Sequence, residues 1–487
     1  MDNKLPINQD LLFVGGDLSG IQKFLYNITS KKAAVSLKGR SQYLDDIIKN
    51  VQKRIEGIPE VSNSFSQQVY SSGGKFYLIV KDTPQIREAI DDEKNKIESE
   101  LWEEHRGQLS INIGYVPFSF NEDDTINVSG EEHAKLGHLW HEVNSQFATL
   151  KTQKFKHVID SNYNQFFSPI EVGGQSHVCA ITGIESSECV KLEKDSDDEE
   201  LYVLPSVKKQ IDIGKQLRSK QGFKTFEEYA KDTYLGVLRM DVDGLGKVFI
   251  EGFPTFQEYT AFSHTLSEFF EKKLTAIQSS AEYKEFLNII YAGGDDMFVV
   301  GRWDKVINFA YDVRNAFIQH INKQNVSISG GIAIVDPKFP ISKAAELSGD
   351  AETAAKEFRN NEKNAFNFFG QSVSWNKEFE YIKNFKQEMV DLCEKEQMPR
   401  SILHKLITLN DLKSRGELKY IWNTAYYLSR FRAGKKDSIK QFCNKLETEL
   451  LKSEQLSNRN YELLALSARW AELQLRQNNN NKKTITL

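Results

Sequence analysis

The stretch Tyr291-Ala292-Gly293-Gly294-Asp295-Asp296-Met297-Phe298-Val299-Val300 decides how this chain folds in our interpretation. Apolar residues lie on both sides of Gly-Gly-Asp-Asp, and short β-prone runs around a glycine pair are typical of a β-hairpin. The glycines permit a tight turn and let a ligand approach the backbone closely. Two adjacent carboxylates at the tip repel each other unless a cation neutralises them. The pattern therefore predicts a hairpin whose tip binds a cation.

A second acidic pair lies upstream, directly after another predicted strand. Asp241 and Asp243 alternate around Val242, so they share one face of that strand. If the strand lies beside the hairpin, Asp241 converges with Asp295 and Asp296. Three carboxylates on neighbouring strand ends suit two Mg²⁺ or Mn²⁺ ions about 3.5–4 Å apart, which hold a nucleoside triphosphate during displacement at phosphorus. Either motif alone also fits an ordinary Asp-containing turn.

Length, charge and cysteine content limit the class of protein. The chain has 487 residues and a net charge of -5. The length allows about two to four domains, and the charge does not indicate a protein that binds nucleic acid through its overall field. Four cysteines argue against a disulfide framework. We find neither a signal peptide nor an apolar run near 18 residues, so we expect a cytoplasmic protein without a membrane span.

A repeated order of predicted elements occurs in two copies. Each copy has a strand ending in an acid, a helix, a hairpin around a glycine pair, a second helix and a closing strand. The glycine pairs are Gly73-Gly74 and Gly293-Gly294. This β-α-β-β-α-β order is that of a ferredoxin-like fold, with an antiparallel sheet and helices on one face. The predicted fold class is therefore α+β.

An insertion between the copies and a helical bundle after them complete the predicted organisation. Apolar residues at helical spacing after the second copy predict the bundle. The four predicted domains, in the order first copy, insertion, second copy and bundle, are residues 1–120, 121–225, 226–375 and 376–487.

The two copies differ in their acids. Aligned on the glycine pairs, Gly293-Gly294-Asp295-Asp296 corresponds to Gly73-Gly74-Lys75-Phe76, and Asp243 corresponds to Ser19. The first copy therefore lacks three of the four acids and is predicted to hold no pair of metal ions. We expect the copies to face each other, with the degenerate copy completing a nucleotide pocket.

Four motifs in this order resemble one family, the large polymerase-like subunit of type III CRISPR effector complexes, of the Csm type. The resemblance implies two palm domains and an adenosine-specific polymerase that makes cyclic oligoadenylates from ATP when target RNA is bound. It implies guide RNA, target RNA and other Csm-type subunits as partners. The motifs are Asp17-Leu18-Ser19-Gly20-Ile21-Gln22-Lys23-Phe24, Ser36-Leu37-Lys38-Gly39-Arg40-Ser41, Asp241-Val242-Asp243-Gly244-Leu245-Gly246 and Gly293-Gly294-Asp295-Asp296.

The resemblance also implies roles for individual residues. Asp241, Asp295 and Asp296 are expected to be catalytic and, with Val242, to hold the metal ions. Lysines after the second copy fit a contact with triphosphate oxygens, and they fit solvated helix lysines equally well. These lysines are Lys343, Lys356 and Lys363. The residues expected to bind the nucleotide are Asp17, Ser19, Gly20, Gly293, Gly294, Lys343 and Lys363.

Two basic groups are candidate RNA contacts. Lys38 and Arg40 lie beside serines and a glycine in a predicted loop. Arg430 and Arg432 stand beside aromatic residues in the helical region. Basic residues interleaved with aromatic ones fit an RNA backbone, and a solvated helix end explains the second group equally well.

Two features depart from the family pattern. Many members begin with an HD nuclease domain; we find no His-Asp dyad here and expect no HD nuclease activity. Members also tend to carry four zinc-binding cysteines between the palms. Here only His177, Cys179 and Cys189 are candidates, and Thr182 stands where another C-x-x-C cysteine would be. We therefore expect a zinc-ribbon remnant without metal.

Two alternative functions stay open. A diguanylate-like cyclase usually has a Gly-Gly-Asp/Glu-Glu-Phe tip, whereas Asp296 is followed by Met297 and a second copy precedes the hairpin. A catalytically silent scaffold subunit would not need the four acids that the second copy retains. Labelled ATP or GTP with Mg²⁺ and target RNA would distinguish these functions.

Overall fold

The structure is a computed structural model, and its chain divides into two compact units, Met1–Lys356 and Glu357–Leu487. Within the described residues, no helix combines the length and the apolar character needed to cross a bilayer. The residues that the structure describes are 6–123, 125–167, 176–192, 200–231, 233–323, 326–452 and 459–485.

The first sheet is antiparallel and has the strand order β2-β3-β1-β4-β5-β6. We call β1 to β4 and the helices between them the first palm. The elements are β1 (Leu11–Ser19), α1 (Ile21–Tyr26), α2 (Ala33–Glu56), α3 (Pro59–Ser62), β2 (Ser66–Ser72), β3 (Lys75–Lys81), α4 (Pro84–His105), β4 (Ser110–Phe120), β5 (Ile126–Val128), β6 (Glu131–Ala134) and α5 (Gly137–Lys151).

Both faces of the first sheet are covered by helices. Leu12 and Val14 of β1 share a hydrophobic cluster with α2 and α4. Leu11 and Phe13 face the other way, because successive strand residues alternate, and the Phe13 ring lies 4.4 Å from that of Trp140 on α5. The expectation of helices on one face was therefore wrong, since the segment after residue 120 supplies α5 as well as β5 and β6.

Short elements connect the two palms. Two small two-stranded sheets, β7-β8 and β9-β10, precede a longer helix in this segment. The elements are α6 (Lys156–Ser161), α7 (Tyr163–Phe166), β7 (His177–Val178), β8 (Glu185–Ser186), β9 (Val190–Lys191), β10 (Tyr202–Val203), α8 (Pro205–Gln221) and α9 (Phe226–Ala230).

The second palm, β11 to β14, repeats the strand order of the first, with neighbours β12-β13-β11-β14. Its helix α13 buries Val306, Phe309, Val313 and Phe317, whose spacing puts them on one face. The elements are β11 (Leu235–Asp243), α10 (Leu245–Glu251), α11 (Phe256–Glu268), a π-helical segment (Phe269–Lys273), α12 (Leu274–Gln278), β12 (Leu287–Gly293), β13 (Asp296–Arg302), α13 (Trp303–Ile321), β14 (Ser327–Val335) and α14 (Ile341–Lys356).

The second unit starts with a short hairpin and continues as helices around its own core. Met389, Leu406, Leu428, Phe442 and Leu464 come from five different helices of this core. The elements are α15 (Phe358–Asn361), β15 (Ala365–Phe368), β16 (Gln371–Ser374), a π-helical segment (Trp375–Phe379), α16 (Glu380–Lys395), α17 (Ser401–Ser414), α18 (Tyr420–Arg432), α19 (Asp437–Glu447), a second π-helical segment (Thr448–Lys452) and α20 (Asn460–Ile485).

The predicted fold class is confirmed. Both palms have the ferredoxin-like order of strands and helices, and a helical region follows them. The four domain boundaries stay predictions. The first sheet does not stop at the expected boundary of residue 120, because β5 pairs with β4 beyond it.

Helices α2 and α8 cross closely at two glycines. A Cβ on Gly39 would lie 1.9 Å from the carbonyl oxygen of Gln210. A Cβ on Gly214 would lie 2.1 Å from the carbonyl oxygen of Val35. The two helices can approach this far only because neither position carries a side chain.

We expect Gly39→Ala to destabilise the chain, since the added methyl meets backbone rather than a movable side chain. Overpacking typically costs about 1–3 kcal/mol, so thermal unfolding should occur at a clearly lower temperature. The control is Gly246→Ala in α10, where a Cβ meets no atom within 4 Å and alanine favours the helix by about 1 kcal/mol. An unchanged or higher unfolding temperature for Gly39→Ala would contradict the close crossing.

Candidate active site

The structure brings the three predicted acids of the second palm together. Asp241 on β11 is the register partner of Asp296 on β13. Asp295 lies in the turn between β12 and β13, and its carbonyl oxygen accepts a hydrogen bond from the Val242 N–H at 2.8 Å. Val242 therefore links the turn to β11, so the carboxylates of β11, of β13 and of the turn between β12 and β13 lie close together.

Burial and mutual repulsion control the protonation of these acids. Burial, followed by the charge of Asp295, raises the pKa of Asp241 to about 7, while Lys356 opposes the rise. Burial, followed by the charges of Asp295 and Asp241, raises the pKa of Asp296 to about 8. Burial also raises the pKa of Asp295, against the attraction of Lys75 and Lys356. A divalent cation would favour the ionised form of all three.

The fourth acid, Asp243, has a different role. Its carboxylate is buried and accepts hydrogen bonds from the hydroxyls of Ser327 at 2.6 Å and Ser329 at 2.9 Å. Both serines belong to β14, so Asp243 fastens β11 to its neighbour instead of joining the cluster of Asp241, Asp295 and Asp296.

Lys356, the last residue of α14, is the lysine of that helix that reaches the acids. It forms ion pairs with Asp241 and with Glu352, the latter at 2.7 Å. Lys343, at the start of the same helix, is exposed and forms an ion pair with Glu346 at 2.6 Å. Thirteen residues of helix separate the two lysines by about 20 Å. The structure therefore does not place Lys343 at the acids, and the expectation for it was wrong.

Lys363 belongs to the second unit. It has a positive φ of 60° and lies just before β15. Its proposed contact with the nucleotide stays a prediction.

The acids fit a hard divalent cation by their chemistry, because carboxylate oxygens are the ligands that Mg²⁺ and Mn²⁺ prefer. Their placement is not yet a closed metal cage. Within the described ranges, no group of three or more His, Cys, Asp or Glu is arranged to hold a metal ion. Lys356 already neutralises Asp241. Metal binding would therefore require Lys356 to release Asp241 and the carboxylates to turn towards the ion.

The corresponding strand of the first palm ends in residues that bind one another. Asp17 is buried and forms an ion pair at 2.7 Å with Lys151, the last residue of α5. Ser19 accepts a hydrogen bond from the Asn112 side chain at 2.9 Å. Gly20 precedes α1 with a positive φ of 96°, and a Cβ there would lie 2.2 Å from a carbonyl oxygen. The nucleotide roles of Asp17, Ser19 and Gly20 stay predictions.

The hairpin tips of the two palms touch at their glycines. The Gly294 N–H donates a hydrogen bond to the Ser72 hydroxyl at 2.7 Å. A Cβ on Gly73 would lie 3.0 Å from the Cα of Gly294, and a Cβ on Gly293 would lie 3.2 Å from the Gly73 nitrogen. The predicted face-to-face arrangement of the two copies is thus present at the glycine pairs.

A cavity of about 510 Å³ lies beside this contact. Its size is within the range of small-molecule sites. Both palms contribute to its wall, which includes Lys38, Ser41, Ser72, Gly74, Asn288 and Gly293.

The strand register aligns the two hairpins with each other differently from the glycine pairs, by a shift of one residue. Ser72 pairs with Lys75 across the first hairpin, and Gly293 pairs with Asp296 across the second. Asp17 pairs with Lys75 just as Asp241 pairs with Asp296. Lys75 therefore occupies the position of Asp296.

The turns confirm this register. The Leu18 N–H donates to the Gly74 carbonyl at 2.9 Å, as the Val242 N–H does to Asp295. Gly74 therefore occupies the position of Asp295. The expected equivalence of Lys75 with Asp295 was wrong. It came from aligning the glycine pairs by residue identity, whereas the backbone turns align Gly74 with Asp295.

Comparison with known proteins gives the family. Residues 234–367 match the family described as Cas10/Cmr2, second palm domain, and residues 10–171 match Csm1 subunit domain B. A relative from Enterococcus italicus is 28% identical over 492 residues and a relative from Mycobacterium tuberculosis 25% identical over 521 residues. Both are named CRISPR system single-strand-specific deoxyribonuclease Cas10/Csm1 (subtype III-A). The chain belongs to the Cas10/Csm1 family.

The alignments cover most of this chain but only part of each relative. The alignments cover 86% and 88% of this family member, but 62% and 63% of the Enterococcus and Mycobacterium proteins. The chain thus spans about three-fifths of the length of these curated relatives. The resemblance expected from the four motifs is confirmed.

Solved structures of Cas10/Csm1 relatives share the fold. A Csm1-Csm4 cassette in complex with pppApA has a TM-score of 0.69 at 19% identity, covering 96% of this chain and 70% of that chain. A Csm1-Csm4 cassette in complex with cA4 has a TM-score of 0.68 at 19% identity, covering 95% and 69%. The similarity extends over both units of this chain.

Arg40 is not an RNA contact in this Cas10/Csm1 chain, and the RNA contact of Lys38 stays a prediction. They lie in helix α2, and the expectation of a loop there was wrong. Lys38 donates a hydrogen bond to the Ile289 carbonyl at 2.6 Å, and burial lowers its pKa to about 8. Arg40 is 2% exposed and donates to the Gln210 side chain at 3.0 Å and to the Phe24 carbonyl at 2.6 Å. Arg40 is enclosed in packed interior, where RNA cannot reach it, whereas Lys38 is partly exposed and lines the cavity beside the palm contact.

Arg430 and Arg432 lie at the end of α18 in the second unit. The Arg430 guanidinium lies 5.5 Å from the centre of the Tyr426 ring and donates to its hydroxyl at 2.6 Å. Arg432 forms an ion pair with Glu447 at 3.0 Å. Arg430 is exposed, and the RNA contact of both arginines stays a prediction.

The candidate zinc ligands lie in the small sheets between the palms. The His177 ring stacks on Tyr202 with a centroid distance of 3.6 Å. The Cys189 thiol donates to the His177 carbonyl at 3.3 Å, and Cys179 is buried. The expectation of a remnant without metal stays a prediction.

We expect Arg40→Ala to destabilise the chain by at least about 3 kcal/mol, because it leaves several acceptors of a charged donor without their partner. Thermal unfolding measures the effect, with Lys53→Ala on the exposed face of the same helix as control. Unchanged stability of Arg40→Ala together with weaker RNA binding would instead support a direct contact of Arg40 with RNA.

We expect Asp296→Asn to unfold in EDTA at the same temperature as the unaltered chain or higher, since it removes a buried acid repelled by two others. Added Mg²⁺ should raise the unfolding temperature of the unaltered chain and of the exposed control Asp350→Asn only. Binding at a hundredfold excess over Kd would add about 2.7 kcal/mol. An equal rise in Asp296→Asn would mean that the ion binds elsewhere.

Proposed function

We propose that this chain is a nucleotidyltransferase that makes cyclic oligoadenylates from ATP. The observation that carries the proposal is the convergence of Asp241, Asp295 and Asp296 at the contact of two palms, beside a cavity of about 510 Å³. Family membership supports the same activity, since solved relatives were crystallised with pppApA, cA4 and AMPPNP.

The proposed partners follow from the family. We propose that the chain acts as the large subunit of a cytoplasmic type III-A complex with guide RNA and other Csm-type subunits, and that target RNA activates it. Solved relatives of this fold are paired with Csm4. The name deoxyribonuclease describes the longer relatives.

In the proposed reaction the 3′-hydroxyl of one ATP forms a bond to the α-phosphorus of another, and the bond to pyrophosphate breaks. Asp241, Asp295 and Asp296 would hold two Mg²⁺ or Mn²⁺ ions through carboxylate oxygens. When bound, these ions supply Lewis-acid activation of the hydroxyl and neutralise the leaving charge. The glycine turn exposes backbone to the phosphates, because Gly293 and Gly294 carry no side chain.

Lys356 has two successive partners in this mechanism. Without nucleotide it neutralises Asp241 and Glu352. If cations held the carboxylates, the Lys356 ammonium would be free to donate to phosphate oxygens, for which lysine is suited as a point charge. Lys356 thereby compensates the buried acids in one state and the triphosphate in the other.

The buried acids favour an enzyme over a silent scaffold. Burial and repulsion raise the pKa of Asp241 to about 7 and that of Asp296 to about 8. Such carboxylates are costly to retain, and strongly perturbed acids cluster at functional sites. A catalytically silent scaffold would not need these destabilising acids.

We expect the double variant Asp295→Ala, Asp296→Ala to lower oligoadenylate synthesis at least about a hundredfold, because the charge stabilisation of the reacting phosphate is lost. The assay uses the assembled complex with ATP, Mg²⁺ and target RNA, and mass spectrometry identifies the products. Lys343→Ala, at the far end of α14, is the control that should keep synthesis near normal.

The same assay separates the remaining functions. Cyclic guanylates formed from GTP would favour a diguanylate-like cyclase. Normal RNA-guided assembly without any nucleotide product would indicate a scaffold. Undiminished product from the double variant would rule out the proposed site.

A further inference from the structure

Lys356 lies between two carboxylates. Its ammonium forms one ion pair with Asp241 on β11 and another, at 2.7 Å, with Glu352 one turn earlier on α14. All three side chains are half-buried. Asp241 is one of the three candidate cation ligands, whereas Glu352 is not among them. A lysine shared in this way can release one carboxylate and keep the other.

Glu352 is held in place by contacts that do not involve Lys356. Its second carboxylate oxygen, Oε2, lies 3.6 Å from the Nε of Arg239 on β11. The Arg239 guanidinium in turn lies 5.4 Å from the centre of the Tyr26 ring. The backbone of Glu352 packs tightly on β14, since a Cβ on Gly331 would lie 2.2 Å from the Glu352 nitrogen. The long Lys356 side chain is therefore the flexible partner of the pair.

The spacing of the pair allows Lys356 to move without losing Glu352. Residues four apart lie on the same face of a helix, and a Glu that precedes its Lys is the favourable order. The ion pair with Glu352 is therefore local to α14, whereas the ion pair with Asp241 joins α14 to β11. A half-buried ammonium without an anionic partner is costly. Glu352 avoids that cost when Lys356 leaves Asp241.

The first palm has an apolar residue at the corresponding place. Lys151 ends α5 and forms an ion pair with Asp17 at 2.7 Å, as Lys356 does with Asp241. Four residues before Lys151 stands Phe147, which is 2% exposed and packs in the apolar core. A second carboxylate for the lysine therefore accompanies the palm that is predicted to bind cations.

We propose that Glu352 is a positioning residue that holds the Lys356 ammonium when Asp241 binds a divalent cation. The inference rests on the proposed function, in which Asp241 is a cation ligand. Glu352 lowers the cost of separating Lys356 from Asp241 and keeps the ammonium at the site. It favours cation binding through the lysine and not as a ligand of the ion.

The test is calorimetric titration of the full chain with Mg²⁺ in the absence of nucleotide. We expect Glu352→Gln to weaken Mg²⁺ binding about tenfold, because the ammonium released from Asp241 would lack its remaining anionic partner. Lys356→Met should strengthen binding, since it removes the cation that competes for Asp241. The control Glu346→Gln, which removes the exposed partner of Lys343 on the same helix, should leave binding unchanged.

A double-mutant cycle decides whether Glu352 acts through the lysine. In the Lys356→Met background, Glu352→Gln should cost at least about threefold less Mg²⁺ affinity than it costs in the unaltered chain, as for coupled neighbours. Glu352→Asp, which keeps the charge, should retain most of the affinity. Equal losses in both backgrounds would mean that Glu352 acts on the ion by its charge alone, and this would overturn the inference. Thermal unfolding confirms that each variant is folded.

Failure of this inference is distinguishable from failure of the proposed function. If Asp241→Asn loses Mg²⁺ binding and Glu352→Gln keeps it, only the role of Glu352 is contradicted. If Asp241→Asn binds Mg²⁺ as tightly as the unaltered chain, both the candidate site and the role of Glu352 are contradicted. If Mg²⁺ binding depends on Asp241 and Glu352 but the complex makes no oligoadenylate, only the proposed function is contradicted.

Discussion

The contact between Gly73 and Gly294 is the constraint on which the site depends. With a Cβ at Gly73 the nearest atom would be 3.0 Å away, and the Gly294 N–H is bound to Ser72 at 2.7 Å. This approach sets the position of the Asp295–Asp296 turn relative to the first palm and shapes the cavity between them. Any side chain at the contact would separate the hairpins, and positive φ at both glycines adds strain for other residues.

Charge compensation follows the same plan in both palms. Each palm adds a helix after its closing strand, α5 or α14, and each helix ends in a lysine paired with the aspartate of the central strand. The repeat is therefore one helix longer than the β-α-β-β-α-β order. In both palms the lysine supplies an opposite charge that offsets part of the cost of burying the acid.

The sequence predicts local secondary structure better than it predicts which distant residues pack together. The glycine-flanked hairpins and the helical spacing of α13 depend on neighbours along the chain, so period and turn chemistry reveal them. The loop predicted around Lys38 and Arg40 was wrong because the surroundings of these side chains come from distant residues. Ile289 is 251 residues from Lys38, and Gln210 is 170 residues from Arg40. A basic motif cannot disclose that its helix is enclosed by a second domain.

The one-residue shift between the hairpins has a larger consequence. Identity aligns glycine with glycine, yet the Val242 and Leu18 hydrogen bonds align Asp295 with Gly74. Only this register shows that Lys75 stands in the place of Asp296. Two identical acidic palms would set carboxylates against each other across the glycine contact, and like charges there would repel in a low-dielectric interior. Replacing one acid with Lys75 turns that repulsion into attraction to Asp295. Lys75 therefore contributes attraction at the contact that positions Asp295 and Asp296.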